Sequence, residues 1–309
     1  MPVERELASL TPARPSLLTI GVFDGVHLGH QALLKRLADE ARRQELISGV
    51  VTFSQHPLKL LTPLEEPLYI APLPENIRRI KAVGIDVIIP LTFDAELAQI
   101  DSKTFVLLLQ HYLKMKGLIL GWDFAMGRHR EGTLKILADL GRALGFATEV
   151  VPAVKLKGEV ISSTAIRSAI LEGDMAKANA MLGRPFSFEG RVVTGAGRGT
   201  ELGFPTANLD TDPGQAVPAE GVYASLASHG GLEYPSLTVV GRCPSFGESE
   251  RTIEVHLLDF SGDIYRETLR VDIIVRLRDV RCFQSAEALI EQITRDIKQA
   301  RDILTKTLG

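Results

Sequence analysis

The chain lacks the features that mark several classes of protein. It has only two cysteines, Cys243 and Cys282, too few for a disulfide framework or a cysteine-based zinc site. No apolar run approaches the ~20 residues of a membrane-spanning helix, and the first residues lack the apolar core of a signal peptide. Neither charge is in excess, because 35 Lys and Arg stand against 38 Asp and Glu, a formal net charge of -3. Electrostatics therefore give no argument for a nucleic-acid or membrane partner, and we expect a cytoplasmic protein.

What is present is an ordinary globular composition. Hydrophobic residues make up 45% of the chain and charged residues 24%, which excludes a disordered, collagen-like or coiled-coil protein. The length of 309 residues favours two domains, since a domain averages roughly 150 residues.

The spacing of the apolar residues along the chain changes near residue 184. Before it, short apolar runs alternate with stretches whose apolar residues recur at helical spacing. The predicted strands are residues 16–23, 50–53, 86–91, 118–121 and 147–151, and the predicted helices are residues 30–44, 76–83, 102–115 and 133–144. This alternation is typical of parallel βαβ units in an open α/β sheet, whose ligands bind at the carboxyl ends of the strands.

The second half has short strand patterns separated by Gly or Pro. They span residues 191–194, 221–227, 236–240, 252–259 and 268–277. The alternation of apolar and polar residues in several of them predicts antiparallel strands in a small barrel or sandwich. A helix closes the chain, with Ser285 as its N-cap and apolar residues every three or four positions from Leu289 to Leu304.

A strand-to-helix turn near the N-terminus carries two histidines. Residues 21–30 read G-V-F-D-G-V-H-L-G-H, so His27 and His30 stand three apart, with Gly29 between them, at the start of a helix. A helix N-terminus offers free N–H groups and a positive dipole to phosphate, and glycine lets the backbone approach closely. The alternative is a turn with a capping histidine and no ligand.

Two further segments of the first half are candidates for binding phosphate. One opens a helix with three hydroxyls and a guanidinium, from Ser162, Ser163, Thr164 and Arg167. These groups donate to phosphate oxygens and stabilise developing charge, although a Ser-rich N-cap without a ligand is the alternative. The other follows a strand and offers Asp123 to a nucleotide and Arg128 and Arg130 to phosphates, or is a solvated basic loop.

The second half has its own candidate phosphate site. A glycine-rich turn, G-A-G-R-G at residues 195–199, precedes Thr206 and Asn208, which share a face if the chain is extended. Backbone N–H groups of such a turn can hold phosphates, and a hydroxyl and an amide oxygen are hard ligands suited to Mg²⁺. The alternative is a hairpin loop with a polar turn.

A carboxylate lies in the strand pattern of residues 252–257. Apolar residues alternate there, so Glu254 and His256 share the opposite face. Glu254 can accept a proton from a substrate hydroxyl that attacks phosphorus, or it can be an exposed strand carboxylate in an ion pair.

Taken together, the first-half motifs resemble the nucleotidylyltransferase superfamily and, more narrowly, the adenylyltransferase module of bacterial bifunctional riboflavin kinase/FAD synthetases. Two more segments agree in order, T-F-S-Q-H-P at residues 52–57 and G-W-D-F-A-M-G at residues 121–127. The chain departs from the usual pattern at Val22, Ser54, Gln55 and Met126. The resemblance implies a Rossmann-like domain in which His27, His30 and Arg167 stabilise the transition state. The ATP contacts that it implies are Gly21, Phe23, Gly29, Asp123, Ser162, Ser163 and Thr164.

The second half resembles the riboflavin kinase module of the same family. The matching segments are G-F-P-T-A-N at 203–208, G-V-Y-A at 221–224, P-S-F-G at 244–247, I-E-V-H-L-L-D-F at 253–260 and R-L-R-D at 276–279, with departures at Thr200, Val239 and Ser245. The resemblance implies a small antiparallel β-barrel closed by a C-terminal helix. It implies that Thr206 and Asn208 hold Mg²⁺ and nucleotide and that Glu254 activates the 5′-hydroxyl of riboflavin. It also implies ATP contacts at Gly195, Arg198 and Gly199, and flavin contacts at Gly221, Tyr223 and Arg278.

We therefore expect an FMN adenylyltransferase domain at residues 1–183 and a riboflavin kinase domain at residues 184–309. The expected reactions convert riboflavin to FMN and then FMN to FAD, each with ATP as co-substrate and with Mg²⁺. The partners are small molecules without nucleic acid or membrane, and an oligomer is compatible with the sequence. Two alternatives stay open: that one module alone is active, with the adenylyltransferase the more doubtful, or that the protein is a non-catalytic flavin- or nucleotide-binding regulator.

Overall fold

The fold is taken from a computed structural model, which describes residues 2–54, 68–195, 199, 202–242 and 251–308. Gln55, Arg198, Thr200, Cys243 and Ser245 lie outside these residues. Contacts divide the chain into two compact units. The first unit comprises Met1–Pro67 and Pro72–Ser162, and the second comprises Leu68–Ala71 and Ser163–Gly309.

The first unit is built on a five-stranded parallel sheet, as the sequence predicts. Its strands are β1 Ser16–Ile20, β2 Ile47–Phe53, β3 Val87–Leu91, β4 Met115–Gly121 and β7 Ala147–Val151, in the order β3-β2-β1-β4-β7. Two short hairpins are β5 Ala125–Met126 with β6 Gly132–Thr133, and β8 Lys155–Leu156 with β9 Glu159–Val160. The helices are α1 Pro2–Ser9, α2 Leu28–Arg43, α3 Leu73–Ala82, α4 Ala95–Ala98, α5 Ser102–Leu113 and α6 Leu134–Leu144.

Helices on both faces of this sheet explain why its central strand β1 is buried throughout. All five residues of β1 are buried. Leu18 and Ile20 pack in a cluster with apolar residues of α1, α5 and α6, whereas Leu17 packs in a second cluster with those of α2. The strand order reverses between β1 and β4, and the carboxyl ends at such a reversal are where open α/β sheets bind ligands.

The second unit contains a closed barrel of six antiparallel strands, which confirms the predicted barrel rather than a sandwich. Its strands are β10 Phe186–Val193, β11 Ala207–Thr211, β12 Gly221–His229, β13 Leu232–Arg242, β14 Arg251–Leu257 and β15 Thr268–Arg278, closed in the order β10-β11-β14-β13-β12-β15. The predicted alternation holds in β15, where Leu269, Val271 and Ile273 are fully buried. Closure leaves no unpaired sheet edge between these strands.

The helices of the second unit whose bounds fall within the described residues are α7 Ser163–Glu172, α8 Met175–Leu182 and α9 Ala286–Leu308. The terminal helix α9 was predicted, and its Ala300 packs with Val222, Ala224 and Leu237 of the barrel. α7 and α8 belong to the second unit by their contacts, although they precede the predicted domain boundary at residue 183.

Some elements differ from the sequence prediction in their bounds or were not predicted. Strand β10 begins at Phe186 rather than at residue 191, because Phe186 and Phe188 are core residues that extend the pairing with β15. Helix α1 was not predicted; its only buried residues are Val3 and Leu7, so packing rather than a long periodic pattern holds it. No helix among the described residues is long and apolar enough to cross a membrane.

Candidate functional site

The turn that follows β1 has an unusual backbone. Phe23, Gly25 and Val26 all have positive φ, at 54°, 76° and 41°. Left-handed backbone is easy for glycine but costly for a β-branched residue such as valine. The buried Phe23 and Val26 side chains pack in the cluster beneath α2, so core packing holds the turn in a conformation that its residues do not favour alone.

This turn delivers His27 to the N-terminus of α2. The Nδ1 atom of His27 accepts a hydrogen bond from the backbone N–H of His30 at 3.3 Å, so His27 caps the helix. The two imidazole rings stack with centroids 3.7 Å apart. A Cβ at Gly29 would lie 3.1 Å from the His27 ring and 3.5 Å from the carbonyl oxygen of Ile161. The absence of a side chain at Gly29 therefore lets the start of α2 lie close to the His27 ring and to the carbonyl of Ile161.

The electrostatics of the pair point to a neutral His30. Burial, with a smaller contribution from the neighbouring His27, holds the pKa of His30 well below its ordinary value. Its Nδ1 is enclosed and has no hydrogen-bond partner among the described residues. The pair therefore combines one imidazole engaged in capping with one neutral imidazole that retains an unused polar atom, beside a helix N-terminus.

The carboxyl ends of β2 and β4 lie on either side of the carboxyl end of β1, at the same edge of the sheet. The hydroxyl of Thr52 donates to the carbonyl of Val22 at 3.3 Å, and the Gly21 N–H donates to Val51 at 3.0 Å. Asp123 follows β4 and its side chain is exposed. The predicted positions Val22, Gly21 and Asp123 thus lie at carboxyl ends of parallel strands, where ligands of such sheets bind.

The basic loop after Asp123 is exposed and has left-handed backbone. His129 and Arg130 have φ of 54° and 58°, and the Arg130 guanidinium lies 3.5 Å from the Asp123 carbonyl. The side chain of Glu131 anchors the loop, because its carboxylate accepts from the Ser102 N–H at 2.6 Å. The basic side chains of this loop are exposed, whereas the carboxylate of Glu131 caps the N-terminus of α5.

The predicted hydroxyl cluster begins where the two units are divided. Ser162 ends the first unit, and Ser163, Thr164 and Arg167 lie in the first turns of α7 in the second unit. Arg167 donates to the Thr164 hydroxyl at 3.4 Å. The prediction that these residues open a helix is confirmed.

The second unit brings together three of its predicted residues. The hydroxyl of Thr206 donates to Oε2 of Glu254 at 3.1 Å. Asn208 of β11 stands directly opposite Glu254 of β14 in the antiparallel ladder. A hydroxyl, an amide and a carboxylate therefore occupy one small area of the barrel, although Glu254 lies 46 residues after Asn208 along the chain.

A histidine on the same strand ties down the segment before β11. Nδ1 of His256 lies 2.7 Å from the carbonyl oxygen of Pro205, which can only accept, so this nitrogen carries the proton. The ring of Phe204 meets His256 edge-on at a centroid distance of 5.8 Å. His256 thereby fixes the residues that immediately precede Thr206.

Two glycines of the predicted turn lie against the same residues. A Cβ at Gly195 would overlap the side-chain amide of Asn208, and one at Gly199 would overlap the carbonyl of Phe204 and lie 3.2 Å from the Thr206 hydroxyl. Because no side chain fits at either position, the backbone at Gly195 and at Gly199 lies directly against this polar area. Arg198, between them, lies outside the described residues.

The predicted flavin contacts have other partners within the second unit. Tyr223 is fully buried and donates to the carbonyl of Ala219 at 2.6 Å. Arg278 makes a two-pronged ion pair with Asp296 of α9, with Nη2–Oδ2 at 2.7 Å and Nε–Oδ2 at 3.0 Å. Gly221 has no room for a Cβ, which would lie 2.8 Å from Nε of Arg276. The flavin contacts stay a prediction.

The residues most suited to a metal ion are oxygen donors. No group of three or more His, Cys, Asp or Glu able to hold a metal occurs in the described part of the chain. The Thr206 hydroxyl, the Asn208 amide oxygen and the Glu254 carboxylate are instead a hard, mixed set, of the chemistry that Mg²⁺ accepts when phosphates and water complete its shell.

Sequence reasoning missed several residues that support these two areas. Asn76 accepts from the Gly25 N–H at 3.0 Å, and Gln31 donates to the Val26 carbonyl at 2.9 Å. Asp296 holds Arg278 from the terminal helix. Nothing local in the sequence marks Asn76 or Asp296, since each acts on a residue far away along the chain, whereas Gln31 stands one position after the second histidine.

Comparison with known proteins finds a matching family profile for each half of the chain. The FAD synthetase family profile matches residues 10–165, and the riboflavin kinase profile matches residues 182–304. A protein of Escherichia coli (strain K12) named bifunctional riboflavin kinase/FMN adenylyltransferase is 36% identical over 302 residues, covering 97% of this chain and 96% of that protein. The protein of the same name from Bacillus subtilis (strain 168) is 34% identical over 291 residues, covering 92% and 91%.

A solved structure is similar along almost the whole chain. It is a crystal structure described as the macrolide-efflux protein of Streptococcus pneumoniae, with a TM-score of 0.90, 31% identity and 97% of each chain covered.

Proposed function

This chain belongs to the family of the bifunctional riboflavin kinase/FMN adenylyltransferases, and on that premise we propose how its own residues carry out the two reactions. The C-terminal module transfers the γ-phosphoryl group of ATP to riboflavin and releases ADP. The N-terminal module joins the AMP portion of a second ATP to the resulting FMN, which gives FAD and pyrophosphate. A single chain thus converts riboflavin to FAD.

In the kinase reaction, Glu254 acts as the general base. Its carboxylate accepts the proton of the riboflavin 5′-hydroxyl while that oxygen bonds to the γ-phosphorus and ADP leaves. The observation that carries this assignment is the hydrogen bond from Thr206 to Glu254, with Asn208 opposite in the ladder. It puts the base beside the two residues expected to organise the phosphates.

Thr206 and Asn208 are the residues that would hold Mg²⁺. Their hydroxyl and amide oxygens are hard donors, and the adjacent Glu254 carboxylate favours a cation there. When bound, Mg²⁺ neutralises charge on the ATP phosphates. The backbone at Gly195 and Gly199 lies close enough to this polar area to donate N–H groups to the same phosphates.

In the adenylyltransferase reaction, the FMN phosphate attacks the α-phosphorus of ATP and pyrophosphate leaves. A phosphate dianion is already a nucleophile at neutral pH, so the reaction needs no dedicated base. The N-terminus of α2 and the two histidines stabilise the negative charge, and His30 does so as a neutral hydrogen-bonding group. His27 keeps its Nδ1 on the helix and offers its other nitrogen to the phosphates.

The remaining assignments follow from the family resemblance. The ATP contacts proposed for adenylylation are Gly21, Phe23, Gly29, Asp123, Ser162, Ser163, Thr164 and Arg167, that proposed for phosphorylation is Arg198, and the flavin contacts proposed are Gly221, Tyr223 and Arg278. We place the functional boundary at Gly183/Arg184, just inside the start of the riboflavin kinase profile match at residues 182–304. We also propose a cytoplasmic enzyme that acts on small molecules without nucleic acid.

The experiment that tests this function supplies the purified protein with riboflavin, ATP and Mg²⁺ and separates the flavins by chromatography. Both FMN and FAD should accumulate, and FAD alone should form when FMN replaces riboflavin. Folded protein that makes neither product would overturn the proposal.

Paired variants test whether each of the two reactions depends on its own module. Given riboflavin, His27→Ala should form FMN but no FAD. Glu254→Gln should form no FMN from riboflavin but should still form FAD when FMN is supplied. The activity that each variant retains shows that the module without the substitution is folded and that the chain is intact. Loss of both activities in both variants would show that the two sites are wrongly assigned.

A further inference from the structure

The turn that carries His27 is held by two side-chain amides from elsewhere in the first unit. Asn76 of α3 is 5% exposed, and its Oδ1 accepts from the Gly25 N–H at 3.0 Å. Gln31 of α2 donates from Nε2 to the Val26 carbonyl at 2.9 Å. The two amides therefore bind adjacent residues of the turn: Asn76 binds the backbone N–H of Gly25, and Gln31 binds the backbone carbonyl of Val26.

Those two residues are the ones whose backbone is left-handed. Gly25 has φ of 76° and Val26 has φ of 41°. Strained backbone persists only where its surroundings over-determine it, and it is concentrated at functional sites. The next residue is His27, which caps α2 and stacks on His30. A change in the direction of the Gly25–Val26 segment would therefore swing His27 off the helix end.

We propose that Asn76 and Gln31 are positioning residues for FMN adenylylation: together they fix the left-handed turn that places His27 on the N-terminus of α2. This inference rests on the proposed function of the N-terminal module. Neither amide needs to touch a substrate, since the effect passes through the turn to His27. Small displacements of a catalytic group are costly, and a shift of about 1 Å can lower a rate about hundredfold.

The test compares variants that remove the hydrogen bond between each amide and the turn. Asn76→Leu removes the acceptor at similar size, and Asn76→Asp keeps it. Gln31→Met removes the donor, and Gln99→Met changes an exposed glutamine of the same unit as the matched control. We expect Asn76→Leu and Gln31→Met to lower kcat for FMN adenylylation by on the order of tenfold to hundredfold with little change in KM. Asn76→Asp and Gln99→Met should stay within about threefold, as no bond of the turn is lost.

A spectroscopic readout separates positioning from mere stability. The ¹⁵N shift of His27 Nδ1 reports the hydrogen bond that it accepts from His30. In folded Asn76→Leu and Gln31→Met this signal should move, while riboflavin phosphorylation by the same molecules is unchanged. The double variant should be less impaired than the product of the single effects, because both act on one turn.

Two results would overturn the inference. One is an unchanged kcat and an unchanged His27 signal in folded Asn76→Leu and Gln31→Met. The other is a loss of kcat that Asn76→Asp fails to restore together with an unchanged His27 signal. The proposed function is judged separately with His27→Ala: if that variant makes FAD normally, the histidine assignment itself is wrong, whatever the amide variants do.

Discussion

The hydroxyl of Thr206 donates a hydrogen bond to Oε2 of Glu254 at 3.1 Å, from the segment before β11 to strand β14. Thr206 lies just before β11 and Glu254 is central in β14. The contact links the group proposed to hold Mg-ATP to the group proposed to take the substrate proton. The base is thereby oriented before riboflavin is bound.

Thr206→Val should impair the kinase and spare the adenylyltransferase. The substitution keeps the shape but removes both the hydrogen bond to Glu254 and the hydroxyl ligand. We expect kcat/KM for riboflavin phosphorylation to fall by on the order of a hundredfold, with a higher Mg²⁺ concentration needed for half-maximal rate. Thr206→Ser retains the hydroxyl and should recover most of the rate. Equal impairment of the Ser and Val variants would contradict a role of the hydroxyl.

Asp296→Ala should destabilise the barrel. Asp296 is 3% exposed and pairs with Arg278 through Nε and Nη2, so its loss leaves a largely enclosed guanidinium without its carboxylate. Removing one partner of a buried ion pair costs about 3 kcal/mol. Urea unfolding followed by loss of kinase activity measures the change. Asp302→Ala, on an exposed position of the same helix, should have almost no effect, and similar midpoints for the two variants would refute the prediction.

A fragment of residues 163–309 should be more stable than one of residues 184–309. The shorter fragment lacks α7 and α8, whose Ile166 and Leu182 are fully buried. It also lacks Asn179, which donates to the carbonyls of Ile273 and Ile274 at 2.9 and 3.0 Å. Thermal unfolding of the two fragments measures the difference. Asn179→Ala in the longer fragment should lower its melting temperature part of the way, and identical melting temperatures for the two fragments would contradict the contact-based division.

Glu40 should make the first unit sensitive to acid. Hydrogen bonds from Arg43 and Gln44 lower the pKa of Glu40 to about 2. Because the folded pKa lies below that of the unfolded chain, its contribution to the free energy of unfolding is complete above about pH 5 and disappears as the pH falls towards 2. Glu40→Gln should therefore be less stable than the wild type at pH 7, and the gap should narrow between pH 5 and pH 2 in urea titrations. Glu45→Gln, at an exposed position after α2, is the control; a gap that is constant with pH would disprove the assignment.

Much of the fold was predictable because the spacing of apolar residues within short stretches of sequence indicates helices and strands. The alternation of apolar runs with helical spacing identified the parallel sheet, and the period of two in residues 268–277 identified a barrel strand. His27, Thr206 and Glu254 could be picked out because each stands in a short pattern whose chemistry is recognisable. Asn76, Asn179 and Asp296 could not, since a buried amide or carboxylate at a helical position looks like any polar surface residue until its partner is known.

The sequence by itself determined the two-part organisation, the family and the residue types available for phosphate chemistry, because these depend on spacing along the chain. Only the tertiary structure decided which of those residues meet. It set Asn208 opposite Glu254 through strand register. It also stacked His27 on His30 through a turn that core packing, the distant Asn76 and the nearby Gln31 hold in place. The physical reason is that register and backbone strain are resolved by contacts between residues far apart in sequence, which no local pattern contains.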